Sequence, residues 1–264
     1  HLSLRRQRQM CIRDSYYTAG DAAYIGDCTH VKNNLFGAHS YWTDNTWNRM
    51  RTVRQNAANT ASQYGAELWQ TEWSMLTNDS DYDTNEFPGY AAGTEMDHSI
   101  QMSRVIHNDL TVANCTSWSY WTSMDGGTAE HKNRFILIRL IPDGGDLTEG
   151  DGKFTVTTNL WVLGNYSLFV RPGYQRIAHE VENEGYDFFG SSYLAPDNSR
   201  IVSVYTNSTD KTFYLQDEFE GRDAVMSIKT YTTSEDKQME PATVRVKDVV
   251  TIAPKSVVTV VYDL

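Results

Sequence analysis

In the stretch AELWQTEW, residues 66–73, the second of two carboxylates, Glu72, lies inside the apolar and aromatic run LWQTEWSM, residues 68–75. A carboxylate in such surroundings must be paired, protonated or functional, because desolvating an unpaired charge is expensive. None of these eight residues is an Arg or a Lys that would neutralise Glu72 locally. The stretch has the length and composition of a buried β-strand. The sequence around it therefore decides what kind of sheet this strand belongs to.

Two further strands are predicted on either side of this one. LFGAHSYW, residues 35–42, precedes it, and CTSWSYW, residues 115–121, follows it. Both are short apolar runs that are rich in aromatic residues, as buried strands often are.

Helices are predicted in both connections between these strands. Apolar residues recur at three- and four-residue spacing from Trp47 to Tyr64, which indicates an amphipathic helix. Asp44 or Asn45 is expected as its N-cap and Gly65 as its C-terminal stop. A second helix is predicted from about Glu95 to Val112. Alternating strands and helices predict βα units on a parallel sheet, with the C-terminal ends of the strands at one edge.

Polar and aromatic residues end each predicted strand. They are His39, Tyr41 and Trp42 on the first, Glu72 and Trp73 on the second, and Tyr120 and Trp121 on the third. In a (β/α) barrel the active site lies at these strand ends, so the side chains are expected to converge on one pocket. Two alternatives stay open: His39 as a hydrogen-bonded core histidine, and Trp118 as a core aromatic.

The pattern of apolar and polar residues changes after Asp125. FILIRLI, residues 135–141, still resembles a barrel strand in composition, and LWVLGNYSLFV, residues 160–170, predicts a closing helix. Five segments beyond Arg171 alternate with period two and are separated by turn residues, which predicts an all-β sandwich. These segments are RIVSVYTN (200–207), KTFYLQ (211–216), MSIKTYTT (226–233), ATVRVKD (242–248) and SVVTVVYDL (256–264).

The first fifteen residues, HLSLRRQRQMCIRDS, differ from the rest of the chain. They are basic, contain no long apolar region and do not begin with Met. They fit neither a signal peptide nor a native start and are interpreted as non-native sequence. The predicted organisation is residues 1–15 non-native, 16–170 a partial barrel and 171–264 a β-sandwich.

The amino-acid composition limits the kinds of molecule that the chain is expected to bind. The formal net charge is −11, which argues against a nucleic-acid or anionic-membrane surface. Seven Trp and sixteen Tyr against nine Phe favour aromatics with a polar edge, which suit flat polar ligands such as sugars, although filling a core explains them as well. Cys11, Cys28 and Cys115 form no metal-binding or disulfide pattern. No membrane-spanning segment, metal or cofactor is predicted, and a monomer is expected.

Four stretches in register resemble glycoside hydrolase family 30. They are GAHSYWTD (37–44), LWQTEWSM (68–75), CTSWSYWTSMD (115–125) and LWVLGNYSLFVRPGYQRI (160–177). The resemblance implies strands six to eight of a (β/α)8 TIM barrel followed by a β-sandwich side domain. It also implies a retaining β-glycosidase in which Glu72 is the nucleophile, His39 and Tyr41 face the scissile sugar, and Trp121 floors that subsite.

A retaining glycosidase uses two carboxylates about 5–5.5 Å apart, one as nucleophile and one as acid and then base. The family's acid/base glutamate follows an Asn on strand four, and no matching residue is found in this chain. Glu67 and Glu86 do not replace it, because one begins a strand and the other lies in a loop. We therefore expect the 264-residue chain alone to be poorly soluble and inactive.

The resemblance also implies a class of substrate and a cellular location. An endo-acting β-glycanase of the β-1,6-galactanase or xylanase type is expected, with an exo-acting β-glycosidase as an alternative. A non-catalytic carbohydrate-binding protein and a β-sandwich interaction module are the alternatives from other classes. Secretion or a cell-surface or periplasmic location is expected from the family role, and sequons at Asn78, Asn114, Asn165 and Asn207 fit an exported protein.

Overall fold

The computed structural model describes residues 35–76, 86–87, 89–126, 134–148, 150–216, 218–220 and 225–264. The predicted non-native segment, Cys11, Cys28 and the sequon at Asn78 lie outside this range. The chain divides into two compact units, residues 1–87 with 105–121, and residues 88–104 with 122–264. Its described part is a mixed α/β structure.

The first unit is built on a three-stranded parallel sheet in the order β1-β2-β3. Its elements are β1 Leu35–His39, α1 Trp47–Gln63, β2 Glu67–Glu72 and β3 Ser117–Trp118, together with residues 105–111 of a helix described below. The three predicted strands and their parallel pairing are confirmed. The third strand is much shorter than its apolar run, with only two residues in the ladder.

Helix α1 has the predicted extent but a different N-cap. Thr46 has an extended backbone, and its hydroxyl accepts a hydrogen bond from the Arg49 N–H at 3.2 Å. The prediction of Asp44 or Asn45 was wrong, because Asp44 is completely buried and Thr46 is the last residue before the helical turn. The expected stop at Gly65 is confirmed by its left-handed φ of 59°.

One face of the parallel sheet is covered by α1. Leu68 packs there against Ala57 and Ala61. Buried and exposed residues alternate along β2, and Trp69 on the opposite face is 40% exposed. The expectation of a fully buried strand was therefore wrong, because the helix covers only one side of this sheet.

The described part of the second unit contains three sheets. Its helices are α2 Gly89–Ala92, α3 Glu95–Thr111, of which residues 95–104 belong to this unit, and α4 Thr158–Ser167. Its strands are β4 Met124–Asp125, β5 Ile138–Pro142, β6 Gly152–Val156, β7 Gln175–Ile177, β8 Phe188–Leu194, β9 Arg200–Asn207, β10 Phe213–Leu215, β11 Ser227–Thr233, β12 Glu240–Val244, β13 Val250–Ile252 and β14 Ser256–Asp263. The predicted second helix and closing helix are confirmed as α3 and α4.

The C-terminal strands form a six-stranded antiparallel sheet in the order β12-β11-β14-β9-β8-β7 and a two-stranded sheet of β10 and β13. Four of the five period-two segments contain one of these strands, and the segment of residues 242–248 covers only the C-terminal part of β12. An apolar cluster joins the two sheets, with Tyr205, Val258 and Tyr262 from the larger sheet and Val250 and Ile252 from the smaller one.

The FILIRLI segment has a partner that the sequence did not predict. It contributes β5, which pairs in parallel with β4 and antiparallel with β6 in a separate three-stranded sheet. Gly152 allows the close approach in this hairpin, because a Cβ there would lie 2.5 Å from the Ile141 carbonyl oxygen.

Two of the sequons cannot serve as glycosylation sites in the folded chain. Asn165 and Asn207 are completely buried. The Asn165 amide donates hydrogen bonds to the Tyr231 carbonyl and the Thr259 hydroxyl, each at 3.0 Å. The Asn207 amide donates to two backbone carbonyls at 2.7 Å. These residues are structural, and they add no support for export.

Candidate active site

Glu72 owes its orientation to an irregularity between β1 and β2. Ala38 pairs with Gln70, but the next residue of β1, His39, pairs with Glu72, so Thr71 has no partner across the ladder. Such a bulge changes the face on which the following side chains lie. Without the extra residue, Glu72 would share the face of Leu68 and Gln70, which are buried. The bulge instead brings Glu72 into register with His39.

The Glu72 carboxylate contacts two of the predicted site residues. The Tyr41 hydroxyl donates a hydrogen bond to Glu72 Oε1 at 2.8 Å, and His39 Nε2 lies 3.7 Å from Oε2. The hydrogen bond from Tyr41 fixes the direction in which the Glu72 carboxylate points. Because 32% of the Glu72 side chain is exposed, this carboxylate is both oriented and accessible to a reacting group.

The predicted aromatic residues differ in how much of each ring is accessible. Trp121 is 46% exposed and Trp73 only 1% exposed. Tyr120 is half-buried, and its ring centroid lies 6.3 Å from that of Trp73. The half-buried Trp42 ring lies 5.6 Å from the ring of Tyr41. Trp121 thus offers the most accessible indole of this group, while Trp73 packs beneath the site.

His39 and Trp118 had open alternatives as core residues. The His39 side chain is 38% exposed, and its ring meets Tyr41 edge to face at 5.6 Å. Trp118 is half-buried and packs against Trp73 and Tyr120 at centroid distances of 6.3 and 6.4 Å. His39 therefore lies at the surface of the sheet edge, while Trp118 belongs to an aromatic cluster.

The carboxylates of Glu67 and Glu86 are both engaged in other hydrogen bonds. Glu67 begins β2, at the opposite end from Glu72, and accepts hydrogen bonds from Thr116 and Trp69. These bonds, that from Thr116 first, lower the pKa of Glu67. It is therefore ionised near neutral pH and has no proton to donate. Glu86 accepts a hydrogen bond from the backbone N–H of Trp47 at the start of α1.

A buried polar network next to the site was missed from the sequence. Asp109 on α3 accepts hydrogen bonds from Arg54, Ser40 and Trp118. The signal was present on α1, where Arg54 shares the buried face with Met50 and Ala57. A charged residue among apolar positions needs a partner, which is the same reasoning that singled out Glu72.

A sequence model described as O-glycosyl hydrolase family 30 matches residues 5–133 of the chain. This range includes β1, β2, β3 and the Glu72–Tyr41 contact. The chain resembles O-glycosyl hydrolase family 30. The resemblance predicted from the sequence is confirmed. No curated protein matches the chain.

Solved structures support the same relationship at the level of the fold. A conserved exported protein from Bacteroides fragilis is 24% identical, with a TM-score of 0.77 over 95% of this chain and 50% of that one. A family 30 endoxylanase from Clostridium papyrosolvens C71 is 20% identical, with a TM-score of 0.59 over 88% of this chain and 49% of that one.

A family 30 subfamily 8 xylanase from Clostridium acetobutylicum is 16% identical, with a TM-score of 0.55 over 78% of this chain and 45% of that one. The chain thus spans about half the length of these three structures.

Within the described ranges no cluster of His, Cys, Asp and Glu has the geometry of a metal site. None of the helices that the structure describes has the length and apolar character of a membrane span.

Proposed function

We propose that the chain supplies the nucleophile of a retaining β-glycosidase that acts on a polysaccharide. The proposal is carried by the Tyr41–Glu72 hydrogen bond of 2.8 Å, at the C-terminal edge of a parallel sheet in a relative of family 30. Glu72 attacks the anomeric carbon and forms a covalent glycosyl ester, and the glycosidic oxygen leaves with a proton from a second carboxylate.

The chain's own residues have separate roles in this proposal. Tyr41 orients the ionised Glu72 and stabilises its charge by a hydrogen bond. His39 lies beside the same carboxylate and faces the sugar in the subsite. Trp121, with its accessible indole, is the platform on which the sugar ring packs. Trp42 and Tyr120 extend this aromatic surface, and Trp73 supports it from below.

The acid/base carboxylate is proposed to come from a part of the protein outside this chain, as are five strands of a (β/α)8 barrel. The chain's span of about half of the family 30 structures supports this proposal. Residues 16–170 and 171–264 are proposed as the barrel part and the β-sandwich side domain. An extracellular or cell-surface location is proposed as well, since polysaccharide substrates are found there.

An endo-acting xylanase or β-1,6-galactanase is the favoured activity. Two of the similar structures are described as xylanases. The reading frame that contains this chain should be expressed and assayed on both polysaccharides, alongside its Glu72→Gln variant. We expect oligosaccharides of several lengths from the parent protein, first formed as the β-anomer in NMR, and none from the variant.

The same assay separates the alternatives. Monosaccharide as the sole first product would indicate an exo-acting β-glycosidase. Binding of a polysaccharide without cleavage, unaffected by Glu72→Gln, would indicate a carbohydrate-binding protein. The 264-residue chain, assayed in parallel on an aryl β-glycoside, is expected to show no turnover, and turnover by this chain would contradict the proposed external acid/base residue.

A further inference from the structure

The turn of residues 40–43 carries Tyr41 and is anchored at both ends. Ser40 Oγ lies 3.0 Å from each oxygen of the Asp109 carboxylate. At the other end, Arg54 Nη1 donates to the Thr43 carbonyl at 3.3 Å and to its hydroxyl at 3.2 Å. The Thr43 hydroxyl in turn donates to the Ser40 carbonyl at 2.8 Å. The turn is thereby closed on itself and tied to two side chains.

These two side chains form a buried ion pair. Arg54 Nε lies 2.7 Å from Asp109 Oδ1, and each side chain is only 3% exposed. Such a pair gains little stability over apolar residues of the same size, because desolvation offsets the attraction. Its distinctive property is geometry, since the flat guanidinium and the carboxylate hold their partners in fixed directions.

The Asp109 carboxylate also contacts β3, which lies on the other side of β2 from β1. Asp109 Oδ2 accepts a hydrogen bond from Trp118 Nε1 at 2.9 Å. Ser40 follows β1 and Trp118 lies in β3, while β2 with Glu72 runs between them. One buried carboxylate therefore joins the two strands that flank the proposed nucleophile.

We propose that the Arg54–Asp109 pair is a positioning device for Glu72, which fixes the turn of residues 40–43 so that the Tyr41 hydroxyl stays on the Glu72 carboxylate. Tyr41 is 2% exposed and reaches Glu72 at 2.8 Å from this anchored turn. The proposal rests on the proposed function, because a fixed Tyr41 has catalytic value only if Glu72 reacts.

The contact can be followed without any substrate in the protein expressed from the complete reading frame. Tyr41 is replaced by 3-fluorotyrosine, and its ¹⁹F resonance is recorded in the parent chain, in Glu72→Gln and in Asp109→Asn. Glu72→Gln defines the shift that accompanies loss of the carboxylate acceptor. We expect Asp109→Asn to move the resonance in the same direction by at least half as much, and Ser40→Ala to move it by a smaller amount.

Asp263→Asn is the matched control, because it removes the carboxylate from another ion pair, in which Arg200 Nε lies 2.8 Å from Asp263 Oδ1. We expect it to leave the resonance in place. An unmoved resonance in Asp109→Asn, with only a lower melting temperature, would overturn the proposal and make the pair merely structural. If Asp109→Asn does not fold, an unmoved resonance in both Ser40→Ala and Trp118→Phe would overturn it equally.

Failure of the proposed function is detected separately. A shifted resonance in Asp109→Asn together with no cleavage of any glycan by the complete reading frame would reject the glycosidase while leaving the positioning device intact. Cleavage of a glycan together with an unmoved resonance in Asp109→Asn would reject the positioning device and leave the proposed glycosidase intact.

Discussion

The Tyr41 hydroxyl and the Glu72 carboxylate form the contact on which the proposed chemistry depends. Their 2.8 Å separation is short enough for a charge-assisted hydrogen bond, which is stronger than one between neutral groups. Removing the donor while keeping the ring isolates this bond, because Tyr41 is otherwise packed as an aromatic residue.

Tyr41→Phe is expected to lower the turnover of the complete protein by about 10- to 100-fold, since a hydrogen bond to a charged group contributes about 1.5–3 kcal/mol. Tyr214→Phe, at a ring that is 68% exposed, is the control and should retain parental turnover. Steady-state kinetics on the preferred glycan measure both. Equal turnover in the two variants would show that Tyr41 does not act on Glu72.

The bulge that aims Glu72 also depends on a small residue in β1. A Cβ added at Gly37 would lie 3.0 Å from Thr71 Cγ2, and Thr71 is the residue without a ladder partner. Gly37→Ala is expected to lower the free energy of unfolding by about 1 kcal/mol through overpacking. Thr71→Ala removes the opposing methyl group and should relieve this cost.

Urea unfolding of Gly37→Ala, Thr71→Ala and the double variant measures the coupling directly. The double variant is expected to be more stable than the sum of the two single changes predicts. Strict additivity would mean that the two residues do not crowd each other.

At the level of elements, α3 begins with a reciprocal cap. Thr94 Oγ1 accepts from the Asp97 N–H at 3.1 Å, and Asp97 Oδ2 accepts from the Thr94 N–H at 3.0 Å. Lys255 Nζ lies 2.9 Å from Asp97 Oδ1. Burial alone would raise the pKa of Asp97, but the Thr94 hydrogen bonds and the Lys255 ammonium outweigh it, and the pKa is lowered.

A lowered carboxyl pKa contributes stability above the pKa of the unfolded chain, near 3.9. This stability is lost as the pH falls through the lower, folded value. Asp97→Asn should therefore be less stable than the parent chain at pH 7, and the difference should shrink below about pH 4. Urea unfolding from pH 7 to 3 tests this, with the exposed Glu235→Gln as control. A pH-independent difference would contradict the role of the Asp97 charge.

The Asn165 side chain links α4 to two strands of the large sheet. The Asn165 amide donates to β11 and β14, and its Oδ1 accepts from the Thr233 hydroxyl at 2.6 Å. Asn165→Ala leaves several buried groups without partners, so we expect a loss of about 3 kcal/mol in the free energy of unfolding. Asn48→Ala, on the exposed face of α1, is the control and should cost much less. Equal losses would show that Asn165 is not the attachment point.

The sequence was most informative about elements with a regular apolar pattern. Helix α3 ends one residue from its predicted limit, because its period extends over four turns. The predicted N-cap of α1 was wrong. Asp44, Asn45 and Thr46 can all cap a helix, and the tertiary burial of Asp44 decides which of them does so. The bulge at Thr71 and the Arg54–Asp109 pair depend on register and on partners 55 residues apart, which local patterns do not encode.

At the scale of the whole molecule, the chain's two units have different kinds of sheet. The first has three parallel strands with α1 on one face and Trp69 exposed on the other. The second carries a large antiparallel sheet in which three strands, β8, β9 and β14, are almost fully buried. The chain has a net charge of −11 and would repel a polyanion, so a neutral glycan is the more compatible partner.

The central claim is that Glu72 becomes covalently attached to sugar. The protein expressed from the complete reading frame should be incubated with an activated 2-deoxy-2-fluoro-β-xylobioside or with the corresponding β-galactoside. Its proteolytic peptides should then be analysed by mass spectrometry. We predict one glycosyl group on the peptide that contains Glu72, absent from Glu72→Gln. A label on a different carboxylate of an active enzyme, or activity that survives Glu72→Gln, would contradict the account.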